Sequence, residues 1–452
     1  MEVNNSDGYP AMSPRRRRLF LPYHVVRILT GGEPIPNYNG RKDVTAIRWC
    51  GKDYKLNVKD FELAEKIATE VMDEWAIPQR KMADFLSPDS ILKIHDIAAK
   101  RIATNRNDDG TKKKRGILML KDTGGCGWWR MVQPARYMDL PGHFCDISAS
   151  QVEFDQLLDY DVIMVQRLHE WENYYILQKL KKAGKRIIYD IDDDLFNIPE
   201  HNAASEIIGK DQQFAIKACL ELADVITVST EVLRDRLREE LDGDQDIEVI
   251  PNALDPTEGW FPLDETGSPD GNLRLFWQGS STHALDWEVC IDAVDTMMKE
   301  FSNLRIMILG FLPPVLQERA NTPLYKGRIE FMGFSDPETY FQMTKHVRAD
   351  VGVAPLVNDK FNESKSPIKF VENALMGIPT VASNVPAYSG AISQGLNGYL
   401  AETTKAWEDF MRKLLKDADG RKKMVKHARA TVEEHYNINK VVEIWEDVLL
   451  EG

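Results

Sequence analysis

From residue 116 onward, short apolar runs alternate with amphipathic helical stretches, and no other feature limits the fold as tightly. The runs fall at 116–120, 144–147, 162–165, 186–189, 225–228 and 247–250, with helical spacing between most of them, as in 174–183 and 213–222. Strands covered by helices on both faces lose the in/out alternation and become continuously apolar, so this pattern predicts βαβ units and a parallel sheet. A second series follows a linker rich in Pro and Gly, with strands expected at 273–277, 305–309, 329–332, 351–354 and 380–382. Two such series exceed what one doubly wound domain holds. Three helical stretches end the chain, the last at 438–450, where no strand is left to follow it.

This pattern divides the 452 residues into an N-terminal extension (1–110), a first sheet domain (111–255), a linker (256–272), a second sheet domain (273–435) and a terminal helix crossing back to the first domain (436–452). The extension lacks regular strand signals and carries helical stretches at 61–75 and 90–103; the charged, turn-rich run Asn105 to Arg115 separates it from the first sheet. Lys plus Arg total 57 against 71 Asp plus Glu, a net charge of −14, which excludes a general nucleic-acid binder. Arg15–Arg18 and Lys112–Arg115 are local basic patches on an acidic chain, and solvated arms are their simplest use.

No apolar run reaches the ~18 residues a membrane-spanning helix needs. Arg15–Arg18 precede an apolar stretch that Pro22, His24 and Arg27 break at once, so an export signal is not expected. The five cysteines, Cys50, Cys126, Cys145, Cys219 and Cys290, are scattered and form no C-x-x-C pair. They argue for reduced thiols in a cytoplasmic protein, against a disulfide framework or a zinc site.

Two sheet domains in series imply a cleft, because ligands of open α/β sheets sit beyond the carboxyl ends of the strands. The richest segment is Asn362 to Pro379. Ser366 suits an N-cap, Pro367 the first helical position and Gly377 the C-cap. Ile368, Val371 and Leu375 share one face, Lys369 and Glu372 another. Free amides at the helix start, with Lys365 and Lys369 beside them, suit a diphosphate, and Glu372 suits ribose hydroxyls. A surface helix with an ordinary Lys–Glu pair is equally compatible with these residues alone.

The same segment, through Gly377-Ile-Pro-Thr-Val-Ala-Ser383, resembles the donor-site motif of the retaining glycosyltransferases of family four. Ile250-Pro-Asn-Ala-Leu-Asp255, Trp277-Gln-Gly-Ser280, Gly333-Phe334 and Asn397-Gly398 resemble the same family in the same order, and the likeness covers roughly residues 115–450. It implies the GT-B architecture, an α/β fold of two Rossmann-like domains facing a cleft, and a donor site built from Gly279, Ser280, Gly333, Phe334, Ser364, Lys365, Lys369 and Glu372. Two features depart from the family. Its motif has two glutamates eight apart: the second matches Glu372, but the first falls on Ser364, with Glu363 one residue off. Its usual cations after the first strand of the second domain are absent from 279–286, where only His283, if protonated, carries charge. Lys365, Lys369 or Arg130 must supply it instead. The branch resembled is a divergent one, common in bacterial and bacteriophage glycan genes.

In the first domain, Asp122 to Arg130 follows a strand and opens a helix. The resemblance turns Gly124 and Gly125 toward the cleft, with Arg130 on a phosphate and Trp128 or Trp129 on a sugar, at least one of the two being core. The carboxylates Asp192 and Asp193 sit at a strand end as acceptor contacts or as turn and capping residues. A D-x-D metal site belongs to transferases with a single sheet domain, so no metal is expected. His169 is a candidate contact to the reacting sugar and Arg167 to a phosphate, with a structural His the equal alternative. The resemblance implies sugar transfer from a nucleotide-diphosphate sugar to a hydroxyl of a glycan or other acceptor. Retention is implied, Lys369, Arg130 and His169 lie nearest the chemistry, and no cofactor is required. A transferase acting on a modified DNA base and a non-catalytic nucleotide-sugar binder are the alternatives.

Overall fold

The computed structural model describes residues 44–49, 52–57, 115–120, 125–148, 154–257, 261, 267–268, 270–333 and 337–451. The helical stretches expected at 61–75 and 90–103, the arm Arg15–Arg18, Gly124 and Phe334 lie outside them.

One finding corrects the expectation of an extension without strands. β1 (Val44–Trp49) and β2 (Lys52–Asn57) pair antiparallel, with Val44 opposite Asn57 and Trp49 opposite Lys52. Each strand is six residues long and interleaves polar with apolar types, too short a pattern to stand out from its polar neighbours.

The first parallel sheet holds β3 (Arg115–Leu120), β4 (His143–Ser148), β5 (Val162–Gln166), β6 (Arg186–Ile191), β7 (Val225–Val228) and β8 (Ile247–Val249), in the order β4-β3-β5-β6-β7-β8. The second holds β9 (Leu273–Gly279), β10 (Leu304–Gly310), β11 (Ile329–Gly333), β12 (Val351–Ala354), β13 (Thr380–Ser383) and β14 (Tyr399–Ala401), in the order β11-β10-β9-β12-β13-β14. All pairings within both sheets are parallel. The α/β fold of two parallel sheets is the one expected; β14, which begins directly after Asn397-Gly398, was not anticipated. Strand order reverses between β3 and β5 in one sheet and between β9 and β12 in the other, which opens a crevice at each point.

Five helices position the rest. α1 spans 125–135, and its middle turn Trp128–Val132 is widened to the π form, with the Gln133 amide donating to the Trp128 carbonyl. α2 is Glu231–Glu240, α3 Lys360–Glu363, α4 Ile368–Met376 and α5 Ile438–Leu450. No helix among the described residues is long and apolar enough to cross a membrane.

Among the described residues, the core has one apolar cluster within each domain and a third that joins them, running from Trp128 and Met131 through Phe261 and Phe341 to Phe370 and Trp445. Trp128 of the first domain packs on Phe341 of the second with ring centroids 4.7 Å apart. α5 returns to the first domain. Backbone bonds between Leu254 and the Tyr436–Ile438 stretch (3.0 and 2.9 Å) seat its start, the Val448 carbonyl accepts from Arg186, and fully buried Trp445 lies 4.8 Å beneath the Arg130 guanidinium. Trp445→Ala should therefore cost about 3–5 kcal/mol, the usual range for a deleted core aromatic, read as a drop in unfolding free energy by chemical denaturation. A loss below ~1 kcal/mol would mean that α5 is not part of the fold's support.

Candidate active site at the two sheet switch points

At the second sheet's switch point, the loops after β9 and β12 meet the start of α4. The backbone is tight here: Gly310, at φ 106°, sits so close to the Gly279 carbonyl that a Cβ would lie 2.4 Å from it. Beyond Gly279, Ser280 shares a hydroxyl bond with Thr282 at 2.8 Å. His283 Nδ1 lies 2.6 Å from Asp286 Oδ2, and Asp286 Oδ1 accepts from the Val357 amide at 2.9 Å and from Asn362 Nδ2 at 3.4 Å. The other ring nitrogen, Nε2, faces Lys369 Nζ at 3.1 Å. Lys369 is 9% exposed, with its ammonium 5.8 Å from the Trp277 ring centroid.

These contacts set the charges. Burial, and then the Lys369 ammonium, lower the His283 pKa to about 4. The imidazole is thus neutral at physiological pH, which corrects the idea of a protonated His283. With Asp286 on one side and an ammonium on the other, the proton belongs on Nδ1 and the lone pair on Nε2. Burial lowers Lys369 to about 8; Asp286 opposes the shift and Lys365 adds to it. Burial alone would raise Asp286, but the His283 hydrogen bond, the His283 ring and the Val357 amide outweigh it and leave its pKa lowered.

Glu372 lies one turn along α4 and is 3% exposed. Its Oε2 accepts from the Tyr340 hydroxyl at 2.7 Å and from Gln278 Nε2 at 2.9 Å, while burial raises its pKa. Every residue from Lys369 to Met376 is buried, so the surface-pair reading of Lys369 and Glu372 is excluded. Gly377 takes the left-handed C-cap conformation at φ 78°, as its position implied. Ser366 does not cap the helix. Pro367 stands at the N-cap and supplies no side-chain cap, so among the described residues no side chain caps the first turn of α4, and the Ser366 hydroxyl instead accepts from Asn252 Nδ2 at 3.2 Å.

That bond is one of four between consecutive residues of this segment and the first domain. Glu363 pairs with Arg236 of α2, the Ser364 carbonyl accepts from Thr230 Oγ1 at 2.8 Å, and Lys365 Nζ lies 3.4 Å from Asp193 Oδ1. The Ser364 hydroxyl donates back to the Lys360 carbonyl at 3.2 Å, within α3. Ser364 therefore offers no carboxylate here, and Glu363 turns its own to Arg236.

At the first sheet's switch point, Arg167 follows β5 in the left-handed region at φ 52°, unusual for a side chain of this size. Its guanidinium donates to Cys126 Sγ at 3.2 Å, lies 3.1 Å from Asp192 Oδ1 and pairs with Asp193. Burial pushes Asp192 up to about 6 against the pull of Arg167. Burial also opposes ionisation of Asp193, but Lys365 and Arg167 together hold its carboxyl well below the usual range. Ligand atoms of Cys126, Asp192 and Asp193 lie within 4.8 Å of one another, and Arg167 and Lys365 already supply cations to this group. Gly125, at the start of α1, has open space where a Cβ would be, as does Gly333 at the end of β11.

Three expected contacts fall elsewhere. Arg130 is fully buried and gives its guanidinium to Asp190 (2.8 and 3.0 Å), the Ile250 carbonyl and Asn252 Oδ1 (3.3 Å), which leaves no face for a phosphate. Trp128 is 3% exposed and belongs to the core that joins the domains, not to a sugar platform. His169 is bound at Nδ1 to the Arg167 carbonyl at 3.0 Å and lies 3.6 Å from Glu170, as a loop residue would be. The residues that motif reading missed are Gln278, Asp286, Tyr340, Thr230, Arg236 and Asn252. Gln278 and Asn252 sit inside quoted motifs; Tyr340 carries no local signal at all.

Residues 274–417 match the family described as glycosyl transferases group 1. No curated protein matches the chain significantly. Among solved structures, HepE of Anabaena in complex with UDP-glucose is similar at a TM-score of 0.57 and 13% identity, over 74% of this chain and 99% of that one. A glycosyltransferase from Rickettsia africae aligns at 0.56 and 15%, over 75% and 100%. Sucrose-phosphate synthase from Thermosynechococcus elongatus aligns at 0.54 and 14%, over 74% and 98%. At these identities the likeness to solved structures speaks for the fold, and the matched domain for the chemistry. The chain is a glycosyltransferase of GT-B architecture, with its group 1 domain at residues 274–417.

Proposed function

We propose that the protein transfers a sugar from a nucleoside-diphosphate sugar to an acceptor hydroxyl, with retention at the anomeric carbon, in the cytoplasm. The observation that carries this reading is a buried cation, Lys369, beside the uncapped first turn of α4 and one turn from a buried carboxylate, Glu372. Helix amides and an ammonium together favour a diphosphate. Glu372, already oriented by Tyr340 and Gln278, accepts from ribose hydroxyls. A neighbour of the same fold holds UDP-glucose, which makes uridine donors the first to try. Arg167, Asp192 and Asp193 form the acceptor edge of the cleft, and the scattered cysteines, with no C-x-x-C pair in the sequence, accord with a reducing compartment.

In the reaction, the bond from the anomeric carbon to the phosphate oxygen breaks and the bond to the acceptor oxygen forms on the same face. The departing phosphate takes the acceptor proton, so the protein needs no base. Its work is to position both partners and to stabilise the charge that develops on the diphosphate. Closure of the two domains over the donor keeps water out.

Glu372→Gln should weaken UDP binding by about ten- to a hundredfold, the loss of ~1.5–3 kcal/mol of charge-assisted hydrogen bonding. Lys369→Ala should lower turnover more than affinity, because the leaving-group charge grows in the transition state. Wild-type affinity and turnover in both variants would remove them from the site. In the free enzyme Lys369 loses its proton above about 8, and a diphosphate prefers the ammonium form. Donor affinity should therefore be flat at lower pH and fall as pH rises through 8, measured by titration calorimetry. Transfer should also persist in EDTA, since Arg167 and Lys365 already neutralise the carboxylate cluster. Complete loss, restored by manganese, would assign Asp192 and Asp193 to a metal.

A further inference from the structure

A buried lysine has a long, flexible stem and three donors to satisfy, so its position is only as good as its acceptors. Around Lys369, the charged and titratable groups are His283 and Asp286 from the loop after β9, and Lys365 and Glu372 from its own segment; the Trp277 ring closes the side toward β9. Lys365 is spoken for by Asp193, and Glu372 by Tyr340 and Gln278. The contact that fixes the ammonium is His283 Nε2 at 3.1 Å. This nitrogen accepts only while the ring proton sits on Nδ1, and Asp286 Oδ2, at 2.6 Å, holds it there. Asp286 is in turn held by the Val357 amide and Asn362, on the loop after β12. Three elements thus converge on one ammonium.

Resting on the donor-site reading above, we propose that Asp286 and His283 form a positioning relay that orients the Lys369 ammonium toward the donor diphosphate. The loop after β9 supplies an acceptor for a cation that α4 brings, and no cation of its own. A protonated imidazole in this place would repel Lys369. The neutral ring instead offers the ammonium an acceptor at 3.1 Å, and the Asp286 carboxylate behind it favours the charged form of the lysine. A histidine–aspartate pair that merely braced two loops would support folding without any bearing on the titration of Lys369.

The test is UDP binding to the full chain from pH 6 to 9.5, for wild type, Asp286→Asn, His283→Phe, His283→Gln and Lys369→Ala. Wild type should show an alkaline fall centred near 8. Asp286→Asn and His283→Phe should each move that midpoint down by about one pH unit, the shift expected when a stabilising neighbour is removed, which is roughly a threefold loss of affinity at pH 7.5. His283→Gln, whose side-chain carbonyl can accept the same bond, should bring the midpoint back toward 8. Midpoints that stay at the wild-type value in Asp286→Asn and His283→Phe overturn the relay. If His283→Phe does not fold, Asp286→Asn, which keeps its shape, decides alone. Failure of the donor-site reading looks different: Lys369→Ala then binds UDP as wild type does, and no variant shows a step near pH 8.

Discussion

The arrangement depends on one buried ion pair, Arg130 with Asp190. Both side chains are fully excluded from water, a cost of several kcal/mol per ion unless each is paired and hydrogen-bonded throughout. Asp190, on β6, accepts from Arg130, from Thr227 Oγ1 of β7 at 2.7 Å and from Gln166 Nε2 of β5 at 3.1 Å. Arg130 spends its remaining donors on Ile250 and Asn252, at the exit from the first domain, and lays its plane over Trp445 of α5. Three adjacent strands, the π-widened helix, the crossing between domains and the returning terminal helix therefore share a single polar anchor. Removing either ion would strand the other in a site that water does not reach, which typically costs 3–5 kcal/mol.

That anchor is linked to the candidate site in few steps. Asn252 touches Arg130 with its side-chain oxygen and Ser366 with its side-chain nitrogen. Ser366 ends the four-residue segment whose every member bonds to the first domain, and α4 begins two residues later. α4 is thus set by contacts from the opposite domain as well as by its own sheet. A shift of one domain against the other would be felt at the first turn of α4, where Lys369 lies. Under the donor-site reading proposed above, this link would couple closure of the domains to capture of the donor.

The charges at the site obey the same economy. Lys369, His283 and Asp286 form a line in which each donor meets an acceptor, and Glu372 is met by Tyr340 and Gln278. Burial raises the pKa of Glu372 and lowers those of His283 and Lys369, and the partners limit how far each moves. The polar groups of the candidate site are thus held in place by one another.

The sequence by itself determined the architecture. Continuous apolar runs separated by helical periodicity allow little but parallel sheets, and two series of them allow little but two domains. Pattern also located α4 and its glycine cap, because helix ends have local chemistry: a glycine that accepts positive φ, and a proline that starts a turn. Pattern could not say whether Lys369 and Glu372 face solvent, since a lysine–glutamate spacing of three is the same on a surface as in a core. Nor could it tell that Arg130 meets a carboxylate sixty residues away instead of a phosphate, that Glu363 turns to Arg236, or that Tyr340 reaches Glu372. Those outcomes belong to the tertiary structure. They rest on pairs far apart in the chain that become neighbours only when the strand order reverses at each switch point and the two domains close on a common core.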